Sequence, residues 1–270
     1  MPTTQEIEKG LSSHDILTRI KWAERMDWTP TPEQVERGLT DENCIVRQTW
    51  AGREDFHSTP EQVERGLQDR DLDVRRAWAV RMDFTPTPEQ IERGLTDDSL
   101  GVRISWIRRT DFTPTPEQVE RGLTSIDEWA RATWAERMDW TPTPEQAERG
   151  LTDTDAHVRE LWVKRTDHTP TYKQIERGLT DQDWGVRQAW AERLDWTPTP
   201  EQIEKGVNDI HQKVRIAWIL RPEFQPTHTQ MQDGLQHNDL EVRRAWEMKA
   251  RHMQQSYIED SWDATWSLPL

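Results

Sequence analysis

The chain has 270 residues, and 35 Lys and Arg against 50 Asp and Glu leave a formal net charge of −15. Only 33% of residues are hydrophobic, a content that by itself suggests disorder, but sixteen tryptophans argue for a packed core. No run reaches the ~18 apolar residues of a membrane span, MPTTQEIEKGL is unlike a signal peptide, and the single cysteine, Cys44, excludes a disulfide framework and a multi-cysteine metal or iron–sulfur site.

An internal repeat dominates the chain. Glycine stands at 10, 38, 66, 94, 122, 150, 178, 206 and 234, a constant spacing of 28. Tryptophan from Trp22 to Trp246 and arginine from Arg19 to Arg243 keep the same period. Nine units follow: 1–28, 29–56, 57–84, 85–112, 113–140, 141–168, 169–196, 197–224 and 225–252. An acidic tail, 253–270, carries Tyr257, Trp262 and Trp266 and is expected to cover the open edge of the last unit or to form a short partner-binding motif. The consensus is T-P-T-P-E-Q-I-E-R-G-L-T-D-x-D-x-x-V-R-x-x-W-A-x-R-x-D-[FW], and its positions are numbered here as places 1 to 28.

Each unit reads as two short helices. In the fourth, Thr87 is the expected N-cap, Pro88 the first helical residue and Gln90 the partner in a capping box. Ile91 and Leu95 share an apolar face four residues apart. Asp at place 15 (Asp71, Asp155, Asp183) is placed to cap the second helix, on which Val102 and Trp106 share a side. The next Thr-Pro stops that helix. Helices of about 7 and 11 residues do not stand alone and must stack.

The repeated residues read as structure. Trp50, Trp78, Trp106, Trp134, Trp162 and Trp190 share a helical face with the valines and are expected to form a core ladder rather than platforms for bases. Arg75, Arg103, Arg159 and Arg187 lie three residues before those tryptophans and four after place 15, the spacing of a same-helix ion pair. They read as part of an arginine–acid ladder rather than a phosphate-binding row. The invariant glycine costs a helix about 1 kcal/mol. Either a close helix crossing or a left-handed helix end requires it.

The run L-x-D-x-D-x-x-V-R-x-x-W-A-x-R, carried by Leu67, Asp69, Asp71, Val74, Arg75, Trp78, Ala79 and Arg81 and followed by Thr87 and Pro88, resembles the leucine-rich repeat variant. HEAT-like repeats share its D-x-x-V-R. The resemblance covers all nine units and departs in the 28-residue length and in Trp where a small aliphatic residue is usual. It implies an all-α fold: an α-solenoid of nine helix-turn-helix repeats in a right-handed superhelix, with one helix of each pair partly 3₁₀. Some relatives hold an iron–sulfur cluster on cysteines. Cys44 alone cannot ligate one, so no cofactor and no metal are expected.

Variation concentrates on the far side of the second helix, at places 16, 17, 20 and 24, about 160° or more from the core face. Arg76, Ile104, Glu160 and Gln188 stand at place 20, and Arg108, Glu136, Lys164 and Glu192 at place 24. Trp129 and Trp184 lie off the core column at places 17 and 16. These ten residues are the candidate partner-binding surface, on the order of 80 Å long for nine stacked units. Its size suits a macromolecule, and a protein partner is expected. A repeat-type nucleic-acid binder is disfavoured by the charge, as is a HEAT-like DNA glycosylase with a basic groove. An acidic mimic of nucleic acid, occupying a partner's basic groove, is the other reading. No catalytic constellation breaks the repeat. A non-enzymatic scaffold, cytoplasmic and without a membrane span, is the expectation; oligomeric state is not readable.

Overall fold

The computed structural model describes the backbone of residues 1–266 and the side chains of residues 1–254. Among the described residues there are eighteen helices and no strand, two helices per unit. The fold is an all-α solenoid of nine helix-turn-helix repeats. The chain groups into two compact stacks that divide at a repeat boundary, Trp140 and Thr141.

The first stack holds α1 (Thr4–Leu11), α2 (Ile16–Ala23), α3 (Pro32–Leu39), α4 (Cys44–Ala51), α5 (Pro60–Leu67), α6 (Leu72–Ala79), α7 (Pro88–Leu95), α8 (Leu100–Ile107), α9 (Pro116–Leu123) and α10 (Glu128–Glu136). The second holds α11 (Pro144–Leu151), α12 (Ala156–Lys164), α13 (Tyr172–Gly178), α14 (Trp184–Glu192), α15 (Pro200–Val207), α16 (Gln212–Leu220), α17 (His228–Leu235) and α18 (Leu240–Trp266). In each stack the second helices pack side by side, and each also packs on its own first helix. Helix α18 runs beyond the ninth unit, so residues 253–266 continue a helix. The contacts expected of Tyr257, Trp262 and Trp266 lie outside the described side chains.

The capping residues act as their spacing predicts. Thr87 accepts the Gln90 N–H, and the Gln90 side chain accepts the Thr87 N–H. Asp71 and Asp183 each accept two N–H groups at the start of the second helix, and Asp155 accepts one. Two of the orphan donors at such an end are thereby met. Both helices of a unit are α-helical, and the 3₁₀ character implied by the resemblance is confined to the closing bond. Asp97 N donates to Gly94 O at 3.4 Å, and Arg109 N to Trp106 O at 3.2 Å. The second helices are 8 or 9 residues before the last unit, not 11, because the arginine at place 25 leaves the helix. Arg137, Arg165 and Arg193 have extended backbones there.

A close crossing, not a left-handed end, explains the glycine. Among the described residues none has positive φ. A Cβ on Gly94 would fall inside the Trp106 indole, and the glycine of each unit meets the Trp twelve residues on in the same way. The indole lies flat on the bare helix. Trp50, Trp78, Trp106, Trp134, Trp162 and Trp190 are all buried.

In the first eight units the place-25 arginine sits over the indole, and in the ninth Lys249 takes its place. Arg81 is 5.3 Å from the Trp78 centroid and 4.5 Å from that of Phe56, the closing aromatic of the preceding unit. Its Nη1 donates to Ala51 O and Arg53 O at 2.8 and 2.6 Å, its Nη2 to Phe56 O at 3.2 Å. Asp83 takes the remaining fork at 2.9 and 2.7 Å. Arg109, Arg193 and Arg221 repeat this arrangement. A buried cation is costly unless its donors are filled, and here they are. One of the carbonyls Arg81 meets, Ala51 O, ends the preceding second helix, where the macrodipole favours a positive charge.

The place-19 arginines do not take the same-helix partner their spacing predicts. Asp at place 15 is committed to capping. Arginine instead reaches one unit on. Arg75 donates to Asp97 at 2.7 and 2.8 Å, Arg159 to Asp181 at 2.8 and 2.7 Å, Arg187 to Asp209 at 2.8 and 2.9 Å. Each also donates from Nη1 to the place-13 carbonyl of its own unit, as Arg75 does to Asp69 O at 3.0 Å. Burial pushes the Asp97 carboxyl up, but bonds from Arg75 and the Ser99 N–H outweigh it and hold the group below its ordinary value. A third set joins the first helices: Gln90 and Arg93 both reach Glu64 of the preceding unit, at 2.9 and 2.8 Å.

Gly94→Ala tests the indole contact by sign. Helix propensity alone predicts a gain of up to about 1 kcal/mol. Overpacking against Trp106 predicts a loss of about 1–3 kcal/mol, and the loss is expected in the urea midpoint. A second test concerns His168, which stands where Phe or Trp closes other units. Its two ring nitrogens are buried without a hydrogen-bond partner. Burial and the Arg193 cation, opposed by Asp167, lower its pKa below the ordinary 6.5. The unfolded chain therefore binds the proton first as pH falls through 6.5, and stability is lost on the acid side. His168→Phe is expected to raise the thermal midpoint, by more at pH 5 than at pH 8. Equal gains at both pH values would refute the titration argument.

Candidate functional site

The ladders use the inner and lateral faces of the second helices and leave the outer face to other residues. In the second stack that face carries an open cleft of about 570 Å³, lined among others by Glu160, Lys164, Trp184, Gln188, Glu192 and Lys213. Five of these six are sequence candidates, brought together from two successive second helices.

Local structure sets each one. Trp184 is the first residue of α14, directly after the Asp183 cap, so it leaves the helix where no preceding turn covers it. It is 37% exposed. The His211 ring stacks on it at 4.2 Å between centroids and 13° between planes. Lys213 Nζ lies 4.8 Å from the indole centroid, a cation–π distance. The ring is thus held by the following unit. Gly185 sits beside it, and a Cβ there would come within 3.1 Å of Glu160 Oε2. Glycine at place 17 lets the Glu160 carboxylate lie close to the α14 backbone. Lys164 Nζ donates to Glu160 at 2.5 Å, and Gln188 Nε2 to Glu192 at 2.6 Å. Acids and amines alternate around one rigid aromatic, an arrangement that offers hydrogen bonds of both polarities around an apolar anchor.

In the first stack the candidates are more dispersed. Arg108 and Glu136 border a second cleft of about 460 Å³, beside the exposed Met138. Arg76 is exposed and pairs with Asp73 at 3.1 Å. Ile104 is half-buried and lines neither cleft. Trp129 is 57% exposed in the first turn of α10. Of the ladder residues, Arg75, Arg159 and Arg187 hold an acid of the next unit, whereas Arg103 meets none.

Sequence reading missed His211, Lys213 and Met138. His211 replaces the capping Asp and Lys213 follows at place 17, so a departure at a conserved cap was the available signal. Met26 and Met82 are exposed at the same place as Met138, in alternate units. Among the described residues no group of three His, Cys, Asp or Glu gathers as a metal site, and no helix is long and apolar enough to cross a membrane.

No protein-family model matches the chain, and no curated protein matches it. A solved structure described as a leucine-rich repeat variant with a novel repetitive protein structural motif is similar, with a TM-score of 0.59, 24% identity and 88% of each chain covered. The likeness is one of fold.

Proposed function

We propose that this chain, with the fold of a leucine-rich repeat variant, is a non-enzymatic scaffold that binds a protein partner on the outer face of its second helices. The observation that carries the reading is the Trp184 cleft. A partly exposed tryptophan, held rigid by His211 and Lys213 and ringed by paired charges, has the makeup of an interface anchor. Nothing in the repeat requires tryptophan at place 16, so a fold constraint does not account for it. A cytoplasmic setting belongs to the same proposal and rests on the lone cysteine and the acidic chain.

The repeated arginines do not favour a phosphate-binding row. Those at place 25, such as Arg81, give their donors to carbonyls and to an acid two residues on, and Arg75, Arg159 and Arg187 are closed by carboxylates. With a charge of −15, an acidic mimic of nucleic acid is the competing reading. Salt separates the two, because mimicry depends on screened long-range charge and an aromatic anchor does not.

The test is affinity capture from nuclease-treated lysate of the source cell, at low and at high salt, with wild type and Trp184→Ala in parallel. A protein retained at high salt and lost with Trp184→Ala is expected, with affinity reduced roughly thirtyfold or more for the purified pair, as for a hot-spot residue. Capture released by salt and indifferent to Trp184 would favour mimicry. Retained nucleic acid before nuclease, with proteins lost after it, would overturn the protein-scaffold reading.

A further inference from the structure

The place-19 ladder is broken between the fourth and fifth units, and the break lies in a cleft. Arg19, Arg47, Arg75, Arg159 and Arg187 each grip an Asp at place 13 of the next unit with Nε and Nη2. At the fifth unit that place is Ser125. The Asp elsewhere has two tasks: it takes the arginine fork, and it accepts the N–H two residues on, as Asp97 does from Ser99 at 2.8 Å. Ser125 keeps the second task, accepting the Asp127 N–H at 3.2 Å. The turn therefore survives while the fork is left without its acid.

Arg103 remains oriented as its counterparts are. Its Nη1 donates to Asp97 O at 2.7 Å and to Asp98 O at 3.1 Å. Among the described residues no carboxylate meets its Nε or Nη2. The guanidinium lines a cleft of about 380 Å³, together with Ser125, Arg121 and Gln118. The other charges there are already satisfied: Asp97 by Arg75 at 2.7 Å, and Arg121 by Glu92 at 2.7 Å. One cation is in excess. Ile126, the residue after Ser125, is an apolar side chain exposed at 100%.

We propose that this cleft is a binding site for a carboxylate borne beside an apolar side chain, such as that of an N-acylated amino acid or a peptide C-terminus. The ligand carboxylate takes the position that Asp41, Asp69, Asp97, Asp181 and Asp209 occupy at the other joints, accepting Arg103 Nε and Nη2 in a bidentate pair. Its side chain packs on Ile126. The ladder breaks again at Arg215, opposite His237, but the cleft there contains Glu204 and Asp233, which oppose an anion. The assignment to Arg103 does not depend on the Trp184 cleft or on its partner.

The test uses the full-length protein and the arginine Nε–Hε signals in two-dimensional NMR, with Arg103 identified by Arg103→Lys. N-acetyl-L-leucine is titrated to about 20 mM, a range that detects a millimolar site, and N-acetyl-L-leucinamide is the uncharged control. The Arg103 signal is expected to move saturably with the acid and not with the amide. Ser125→Asp restores the residue found at this place in three preceding units, so the fold is kept while the site is filled from within. In that variant the response is expected to fall at least about tenfold. Absence of a saturable shift in wild type, an equal response to the amide, or an undiminished response in Ser125→Asp would each overturn the proposal.

Discussion

The contact between a bare glycine and a flat indole is the constraint from which the rest of each stack follows. A chain with few aliphatic residues fills its core with one large ring per unit, and a buried Trp removes roughly 150–250 Å² from water. That ring fits only if the first helix presents no Cβ at its crossing point, so the helix accepts a glycine it would otherwise avoid. Once the indole lies on the glycine, its outer side is left for a partner that tolerates an aromatic. The place-25 arginine fills that position, between the ring of its own unit and the closing aromatic of the one before.

Burying so many guanidinium groups succeeds because each is coordinated on every side. Arg109 is only 3% exposed, yet it donates to Ala79 O, Arg81 O, Phe84 O and Asp111. Its carbonyl partners belong to the preceding unit. A helix that would end with unmet acceptors is finished by its successor, and this allows helices of eight residues to be stable in the array. The outer face differs: polar pairs such as Lys164–Glu160 and Gln188–Glu192 lie within one helix, and its residues are free to differ from unit to unit.

How much of this was legible depends on the range of the interaction. The Thr87, Pro88 and Gln90 cap is local and was read in full. The choice between a close crossing and a left-handed end at Gly94 was not, because the deciding atom belongs to Trp106, across the turn. The spacing points Arg75 to an acid four residues away on its own helix, whereas its acid stands 22 residues on, at Asp97. Place 13 holds Asp at most joints but Ser125 and His237 at two, a clue that is visible only once the pairing is known. On the candidate surface, Trp184 stood out as a departure from the repeat. Its supports, His211 and Lys213, did not, because they come from the next unit.

The ladders also set how such a chain can vary in length. Donor and acceptor at each joint within a stack are separated by fixed offsets, 22 residues for Arg47 and Asp69 and 26 for Gln62 and Glu36. Inserting or removing one whole period, cut at any phase, regenerates every joint with the same neighbours. A change of any other size throws the indole, the guanidinium and the amide out of step together. Size in this architecture is therefore quantised: the molecule can grow or shrink by duplication and loss of whole units.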